Sequence, residues 1–422
     1  MRFGRQKRRG SITVLVALCL VALVGLAAIS LDGGVLQEDR RKAQAAADAA
    51  ALAAATNLYQ NYELYQGLDN NDTAKAAALA VASANGFTND GTTSTVTVHV
   101  PPTSGIMSGK AGYAEVIVQL NQSRYFSRQG GTGTLPVTAR AVARGMWYAV
   151  GDGIIVLDPS SSGALSAGGG GSVSVVGANI VVNSSSASAA IANGGGTLTA
   201  PEFDVTGVPG TSTSGTGSSF SGTIESGQTP IPDPLAYLPA PDPSAMTVQS
   251  NKAINYSQKK TLTLNPGVYT GGISVSGQGQ LVLNPGIYYM DGGGFSFTGQ
   301  GGMSASGVMI YTNPASNSDN ININGSGAIS WTPPTSGVYT GIALFQARSS
   351  TNTVTISGNG STSMYGTFYV AGGPLKVTGN GTGDVLGSQY ISYDLITGGN
   401  GSFNINWNVN QVARTRLVGL VE

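Results

Sequence analysis

The chain has 422 residues, enough for about two or three domains, and its 21 basic and 21 acidic side chains give a formal net charge of zero. This balance excludes the strong overall field that draws proteins to nucleic acid. A single cysteine, Cys19, excludes an intramolecular disulfide, and a single histidine, His99, excludes a histidine-based metal cluster. The 62 glycines are about twice the average frequency and favour turn-rich β structure.

Near the N-terminus, an uncharged apolar segment begins at Ile12 and ends at Leu31. As a helix it spans about 30 Å, the hydrocarbon thickness of a bilayer. We therefore predict that the lipid bilayer is a partner through residues 12–31, in a single pass of the bacterial cytoplasmic membrane. A cleaved secretory signal and a buried core helix are the alternatives. Five cations and no acid precede the segment, which predicts a cytoplasmic N-terminus and export of the rest: Arg2, Arg5, Lys7, Arg8 and Arg9.

After the apolar segment, a long helix is predicted from residue 35 to about 65, because ten alanines lie between Ala43 and Ala55. Its small side chains permit a close approach by neighbouring helices, and the alternative is a spacer with no partner. Asp32, Gly33 and Gly34 predict a bend at the membrane surface.

A second helix is predicted over residues 73–85, with Asp72 as its N-cap and Gly86 as its left-handed stop. The apolar period then changes to two, which indicates strands. These strands are predicted at 96–100, 114–120 and 135–144. We therefore predict a cytoplasmic tip and transmembrane helix over 1–31 and a small α+β module over 32–146.

Residues 147–422 are predicted to form one Gly-rich, all-β domain. The sequence LNPG at 264–267 returns 19 residues later at 283–286. A spacing near 20 residues with one inward apolar pair per strand is typical of stacked coils, so we predict a right-handed parallel β-helix, or solenoid. An antiparallel β-sandwich is the alternative. Pairs that precede successive glycine turns are Ile273/Val275, Phe295/Phe297, Val354/Ile356 and Leu375/Val377.

Two segments interrupt this pattern. Residues 330–337 contain two prolines and predict an extended loop in one coil. Residues 229–243 contain six prolines and predict an extended polyproline segment, the strap. The strap either crosses the outside of the solenoid or joins two subdomains, and Leu235, Tyr237 and Leu238 favour the first because they can pin it to the surface.

One motif has the spacing of a metal site. Asp158, Ser160 and Ser162 match the D-x-S-x-S pattern that in von Willebrand A domains surrounds a divalent metal. Those domains alternate helices and strands downstream, whereas Gly- and Ser-rich β sequence follows here. We therefore expect an ordinary turn and no metal ligands.

Acidic side chains are sparse in the repeats, and by our alignment no two share a corner of successive coils. We predict neither a general-acid pair nor a calcium cluster, and hence no enzyme and no cofactor. The charged residues considered are Asp291, Asp319, Asp384, Asp394, Arg348 and Lys376.

Most aromatic residues of the repeats alternate at strand spacing, so we predict core stacks for them. An outward ledge would instead bind surface glycans, which stay open as a partner, whereas nucleic acid is not expected. The aromatic residues are Tyr288, Tyr289, Phe295, Phe297, Tyr365, Phe368, Tyr369, Tyr390, Tyr393 and Trp407.

Residues 8–56 combine a basic Arg-Gly start, the apolar segment, Asp32 before two glycines, and the sequence QAAADAAAL at 44–52. This combination resembles the TadG-like family of tight-adherence (Tad, or Flp) pilus-assembly proteins. The stretch to about Arg144, which ends TARAVAR, resembles the pilin-like module of TadE/TadG minor pilins.

The resemblance implies a membrane-anchored, surface-exposed minor pilin-like protein that takes part in adhesion, with pilus or secretion-system components as partners. Prepilins of this system carry a Glu five residues after the cleavage-site Gly. Counted from Gly10, that position is Leu15, which argues against processing by prepilin peptidase. The alternative is a glycan-binding adhesin or a polysaccharide-active β-helix enzyme on a pilus-type membrane anchor.

Overall fold

A computed structural model describes residues 11–124, 133–359, 361–379 and 381–422. The chain divides into two compact units: Met1–Tyr148 with Arg416–Glu422, and Ala149–Thr415. We call them the N-terminal module and the solenoid unit. The sequence assigns residues 416–422 to the Gly-rich domain, but the structure places them in the N-terminal module.

The N-terminal module begins with helix α1 (Ser11–Gln60), followed by α2 (Tyr62–Tyr65) and α3 (Thr73–Ala84). The predicted bend at Asp32, Gly33 and Gly34 is wrong, because α1 runs through these residues without a break. Glycine inside a helix costs about 1 kcal/mol relative to alanine, and the strong helix formers on both sides outweigh this cost.

Helix α3 is capped differently from the prediction. Asp72 makes no side-chain cap, and the carboxylate of Asp69 instead accepts hydrogen bonds from the backbone N–H groups of Ala74 (3.0 Å) and Lys75 (2.9 Å). The predicted stop is confirmed, since Gly86 has a φ of +91° just after the helix. Only glycine adopts this left-handed conformation without strain.

Four strands form the sheet of the N-terminal module in the order β1-β2-β3-β31. The first three match the predicted strands and pair antiparallel. Their apolar side chains and the alanines of α1 and α3 make one core. The strands are β1 (Ser94–His99), β2 (Tyr113–Gln122), β3 (Leu135–Ala149) and β31 (Arg414–Leu420).

The solenoid unit is a parallel β-solenoid, as predicted, and it has about 11 turns. The handedness of its coils stays a prediction. Its strand pairings fall into three sets, which we call the first, second and third faces. First-face strands are β4 (Ile154–Val156), β7 (Ile180–Val182), β12 (Val248–Ser250), β15 (Gly267–Thr270), β18 (Gly286–Asp291), β21 (Val308–Asn313) and β24 (Ile342–Gln346). Second-face strands are β5 (Leu165–Ala167), β8 (Ala190–Asn193), β10 (Thr211–Ser214), β13 (Ile254–Tyr256), β16 (Ile273–Val275), β19 (Phe295–Phe297), β22 (Ile321–Ile323) and β25 (Val354–Gly358).

The third face is built in the same way. Its strands are β6 (Ser172–Val176), β14 (Leu262–Leu264), β17 (Leu281–Leu283), β20 (Met303–Ala305), β23 (Ile329–Trp331), β26 (Thr362–Met364), β28 (Thr382–Leu386) and β30 (Ser402–Asn406). Four longer strands turn a corner and serve two faces: β9 (Thr197–Val205), β11 (Ser219–Ser226), β27 (Thr367–Gly379) and β29 (Gln389–Gly398).

The order of coils in the stack differs from their order in the chain. Residues 154–226 wind toward one end of the stack, and the chain then re-enters at 248, at the opposite end. It winds back until β29 pairs with β4 and β5, and β30 pairs with β6. Coil 389–406, the last in sequence, therefore stacks directly on coil 154–176, the first in sequence.

Candidate functional site

The N-terminal half of α1 is apolar and solvent-exposed. Ile12 is 73% exposed and Leu18 is 66% exposed. The most apolar window of this helix has a mean hydropathy of 3.0 and is not buried within the structure. Because apolar side chains are stabilised by leaving water, a helix of this length that no other described residues cover fits a membrane anchor.

The C-terminal half of α1 is buried. Its alanines pack against α3 and against the sheet, so the alternative of a spacer without a partner is wrong. The approach is closest at Gly145 of β3, where an added Cβ would lie 1.7 Å from the backbone oxygen of Ala55. Small side chains thus let the helix lie directly on a strand. The buried alanines are Ala43, Ala46, Ala47, Ala50, Ala51, Ala54 and Ala55.

A charged cluster that the sequence did not predict lies on the two central strands of the module's sheet, β2 and β3. The fully buried Glu115 accepts a hydrogen bond from Arg140 Nε (2.6 Å), and Arg140 also pairs with Glu422. Burial alone raises the pKa of Glu115, but hydrogen bonds from Ser104, Thr103 and Arg140 outweigh it and lower that pKa to about 2. In the sequence, this cluster is indicated only by a glutamate within the apolar strand AEVIVQL.

The Asp158 motif forms a turn. Asp158 Oδ1 accepts backbone hydrogen bonds from Ser160 and Ser161, both at 2.8 Å, and Ser162 Oγ lies 3.5 Å from the backbone oxygen of Ser188. The loop that follows Asp158 therefore satisfies Oδ1 of its carboxylate. Within the described ranges, no group of three His, Cys, Asp or Glu side chains comes together that could hold a metal ion.

The structure brings Asp394 next to Asp158. Burial and the neighbouring Asp158 raise the pKa of Asp394 to about 6, because two carboxylates in a partly dry corner resist ionising together. The other predicted acids have separate roles. Asp319 accepts backbone hydrogen bonds from Ala315 (2.8 Å) and Ser316 (3.0 Å), and Asp384 accepts one from Thr362 (2.9 Å).

Most of the aromatic residues are core stacks, as predicted. Tyr288, Phe295, Phe297, Phe368 and Tyr390 are fully buried inside the solenoid. On the outer side of the first face, Tyr289 and Tyr369 are buried in a second apolar cluster. Tyr365 and Trp407 are half-buried, and Tyr393 is 37% exposed.

The strap covers this outer cluster, which confirms that it crosses the outside of the solenoid. Its side chains Leu235 and Leu238 are buried there. Arg348 Nη2 donates hydrogen bonds to the backbone oxygens of both leucines, and its guanidinium lies 5.2 Å from the centroids of the Phe345 and Tyr369 rings. The predicted extended loop is also confirmed, between β23 and β24.

Contacts of the strap advance along the stack. Ile231 exchanges two backbone hydrogen bonds with the side chain of Asn183, at 2.7 and 3.0 Å. Asp233 accepts a hydrogen bond from Tyr369, several coils further on, and the backbone oxygen of Pro239 accepts one from Tyr339 (3.0 Å). The strap therefore carries the chain between the two ends of the solenoid.

Residues 10–57 match the family described as Tad, putative Flp pilus-assembly TadE/G-like. A search of curated proteins and a search of solved structures each found no significant match. The matched residues cover the exposed apolar half of α1 and most of its buried alanine face. The N-terminal segment of this chain is thus similar to the Tad segment of TadE/G-like proteins, and this similarity supports an association with Flp pilus assembly.

Proposed function

We propose that this protein is a minor pilin-like component of a Tad/Flp pilus-assembly system. Residues 12–31 anchor it by a single pass in the bacterial cytoplasmic membrane, with the N-terminus inside. The solenoid lies on the outer side and takes part in adhesion, without catalysis. Its partners are pilus or secretion-system components.

The observation that carries this proposal is the division of α1 into two halves. The first half exposes apolar side chains that need lipid or protein cover, and the second half packs into an α+β module. A membrane helix that continues into a compact module holds that module at the membrane surface. The family match spans both halves, which supports a pilus role for the whole segment rather than for a generic anchor.

The experiment compares three full-length forms in cells: wild type, a deletion of residues 12–31, and a form with an unrelated apolar helix of equal length in their place. We expect protease added to intact cells to digest the wild-type solenoid. We also expect the wild type alone to co-purify with pilus components and to support attachment.

Two results would contradict the proposal. One is a solenoid that protease reaches only after lysis, which would reverse the topology. The other is a purified deletion form that, when added to cells from outside, restores attachment or cleaves polysaccharide unaided, which would favour a glycan-binding or enzymatic solenoid on a borrowed anchor.

A further inference from the structure

The two ends of the solenoid leave strands with a free edge. At one end these are β12, β13 and β14, and at the other they are β10 and both parts of β11. Among the described residues, each of these strands pairs with one neighbouring strand only. A strand with a free edge presents unpaired backbone N–H and C=O groups along its length.

Apolar side chains of the core continue to both ends. The core residues that are only partly buried all lie in the end coils: Phe220 at one end, and Ile254, Tyr256 and Leu262 at the other. Ile224 of β11 is 40% exposed. Stacked-repeat proteins usually close such ends with a repeat whose outer face is polar. These end coils present apolar side chains in that position instead.

The two ends carry opposite charge. In residues 247–266 the charged side chains are Lys252, Lys259 and Lys260, all exposed, and this end we call the basic end. In residues 202–227 they are Glu202, Asp204 and Glu225, and this end we call the acidic end. Burial raises the pKa of Asp204, and the carboxylates of Glu202 and Glu225 raise it further, as expected for neighbouring like charges.

The molecule already contains a junction between two coils that are not consecutive in the chain. Coil 389–406 and coil 154–176 are far apart in sequence, yet they stack with Tyr390 opposite Ile154, Leu395 opposite Leu165 and Phe403 opposite Val173. The contact needs only parallel strand pairing on three faces and a continuous apolar interior. Two coils of this solenoid can therefore join without a covalent connection between them.

We propose that the basic end of one copy stacks on the acidic end of a second copy of this chain. Strands β12, β13 and β14 would pair in parallel with β11 on the first face, β10 on the second and β11 again on the third. Identical ends repel each other, so opposite ends meet. Such a contact does not close on itself, and copies add to form a linear chain with a repeat of about 50 Å, from about 11 turns at about 4.8 Å each.

This inference does not depend on the proposed function, and charge reversal tests it on the full chain in detergent micelles. One variant combines Lys252→Glu, Lys259→Glu and Lys260→Glu, another combines Glu202→Lys, Asp204→Lys and Glu225→Lys, and a third carries all six changes. Sedimentation velocity at low salt measures association, and circular dichroism checks folding.

We expect the wild type to form concentration-dependent chains, and each single-end variant to lose about ten-fold or more in association constant. The six-fold variant, and an equimolar mixture of the two single-end variants, should recover association because opposite charges meet again. The proposal is overturned if the wild type stays monomeric at every concentration. It is also overturned if the single-end variants associate as the wild type does, which would place the contact in the anchor or elsewhere.

Cross-linking tests the pairing of the second face independently. In a Cys19→Ser background, Asn255→Cys in β13 and Ser212→Cys in β10 occupy the same outward position of the coil. Oxidation should give a ladder of oligomers when both cysteines are in one chain, and dimers only when the two single variants are mixed. A control pairs Asn255→Cys with Ser296→Cys, which lies inside the stack, and should give no ladder. Cross-linking of Asn255→Cys with itself would instead show that like ends meet and would refute the proposal.

Discussion

Glu115 combines full burial with a retained negative charge. Arg140 and the neighbouring Ser104 and Thr103 satisfy its carboxylate, so that the charge is stabilised in the folded state. A carboxylate whose pKa is lowered on folding stabilises the protein at neutral pH and loses this contribution in acid.

For this reason we expect Glu115→Gln to reduce the free energy of unfolding of the N-terminal module by about 2–3 kcal/mol at pH 7. In the wild type, the contribution is present above the ordinary pKa of 4.5 and is lost as pH falls toward about 2. The variant should show a flatter stability profile over that interval in denaturant unfolding. The exposed Glu63→Gln is the matched control, and an equal effect from it would contradict the argument.

For Asp394 the pKa shift on folding has the opposite sign to that of Glu115. Its pKa is raised from 3.8 to about 6, so ionisation costs stability once pH rises through 6. We expect Asp394→Asn to increase the free energy of unfolding of the solenoid by about 1–2 kcal/mol at pH 7, and to change it little at pH 4. Thermal melts at both pH values measure this, with the exposed Asp291→Asn as control. A variant that is less stable than the wild type at pH 7 would show that the pair contributes through a hydrogen bond instead.

At the scale of elements, the contact between α1 and β3 depends on the missing side chain of Gly145. We expect Gly145→Ala to destabilise the N-terminal module by about 1–3 kcal/mol, because the added methyl group overlaps the backbone of Ala55 and the helix must move. Gly419→Ala is the control, since an added Cβ at Gly419 of β31 meets no atom within 4 Å. Equal thermal stability of the two variants would mean that the helix lies further from the sheet.

The repeat elements were predictable because each coil repeats the same local chemistry. Leu264 and Leu283 of the two LNPG sequences lie opposite each other on the third face. The apolar pairs before the glycine turns stack on the second face, from Ile273/Val275 to Leu375/Val377, with Ile321/Ile323 as a layer that the sequence analysis missed. Local periodicity determines which residues point inward in each coil.

Other features were not predictable from local pattern. Asp69 and Asp72 are equally good cap residues by type, and only the path of the loop decides between them. The carboxylate cluster at Glu115 requires knowledge of which strands pair. Asp158 and Asp394 likewise come together only because two coils that are far apart in sequence stack on each other.

At the scale of the whole molecule, the order of coils could not be read from the sequence. Residues 154–226 carry no clear repeat, so nothing in the chain indicated that coil 389–406 stacks on coil 154–176. This order requires a connection such as the strap. Residues 154–226 end at one end of the stack, and the chain must reach the opposite end before it continues at residue 248. Six prolines suit that path, since a polyproline segment advances about 3.1 Å per residue.

This arrangement predicts that the strap is not needed to hold the coils together once they have folded. In a variant with a protease site inserted after Ala240, we expect the two fragments to stay associated after cleavage and to elute as one species. The stacking of coil 389–406 on coil 154–176 holds the fragments together. Size exclusion with and without denaturant measures this, and separation under native conditions would contradict the stacking order.

The shuffled order also constrains how the protein can be made. Synthesis delivers the chain from its N-terminal side, so the surface of coil 154–176 that later receives coil 389–406 is made early and stays uncovered until nearly all of the remaining chain has followed. Throughout that interval, the nascent chain exposes strand edges and apolar side chains that are buried in the folded protein. Until coil 389–406 covers it, that surface is open to pairing with strands of other chains, as free strand edges generally are.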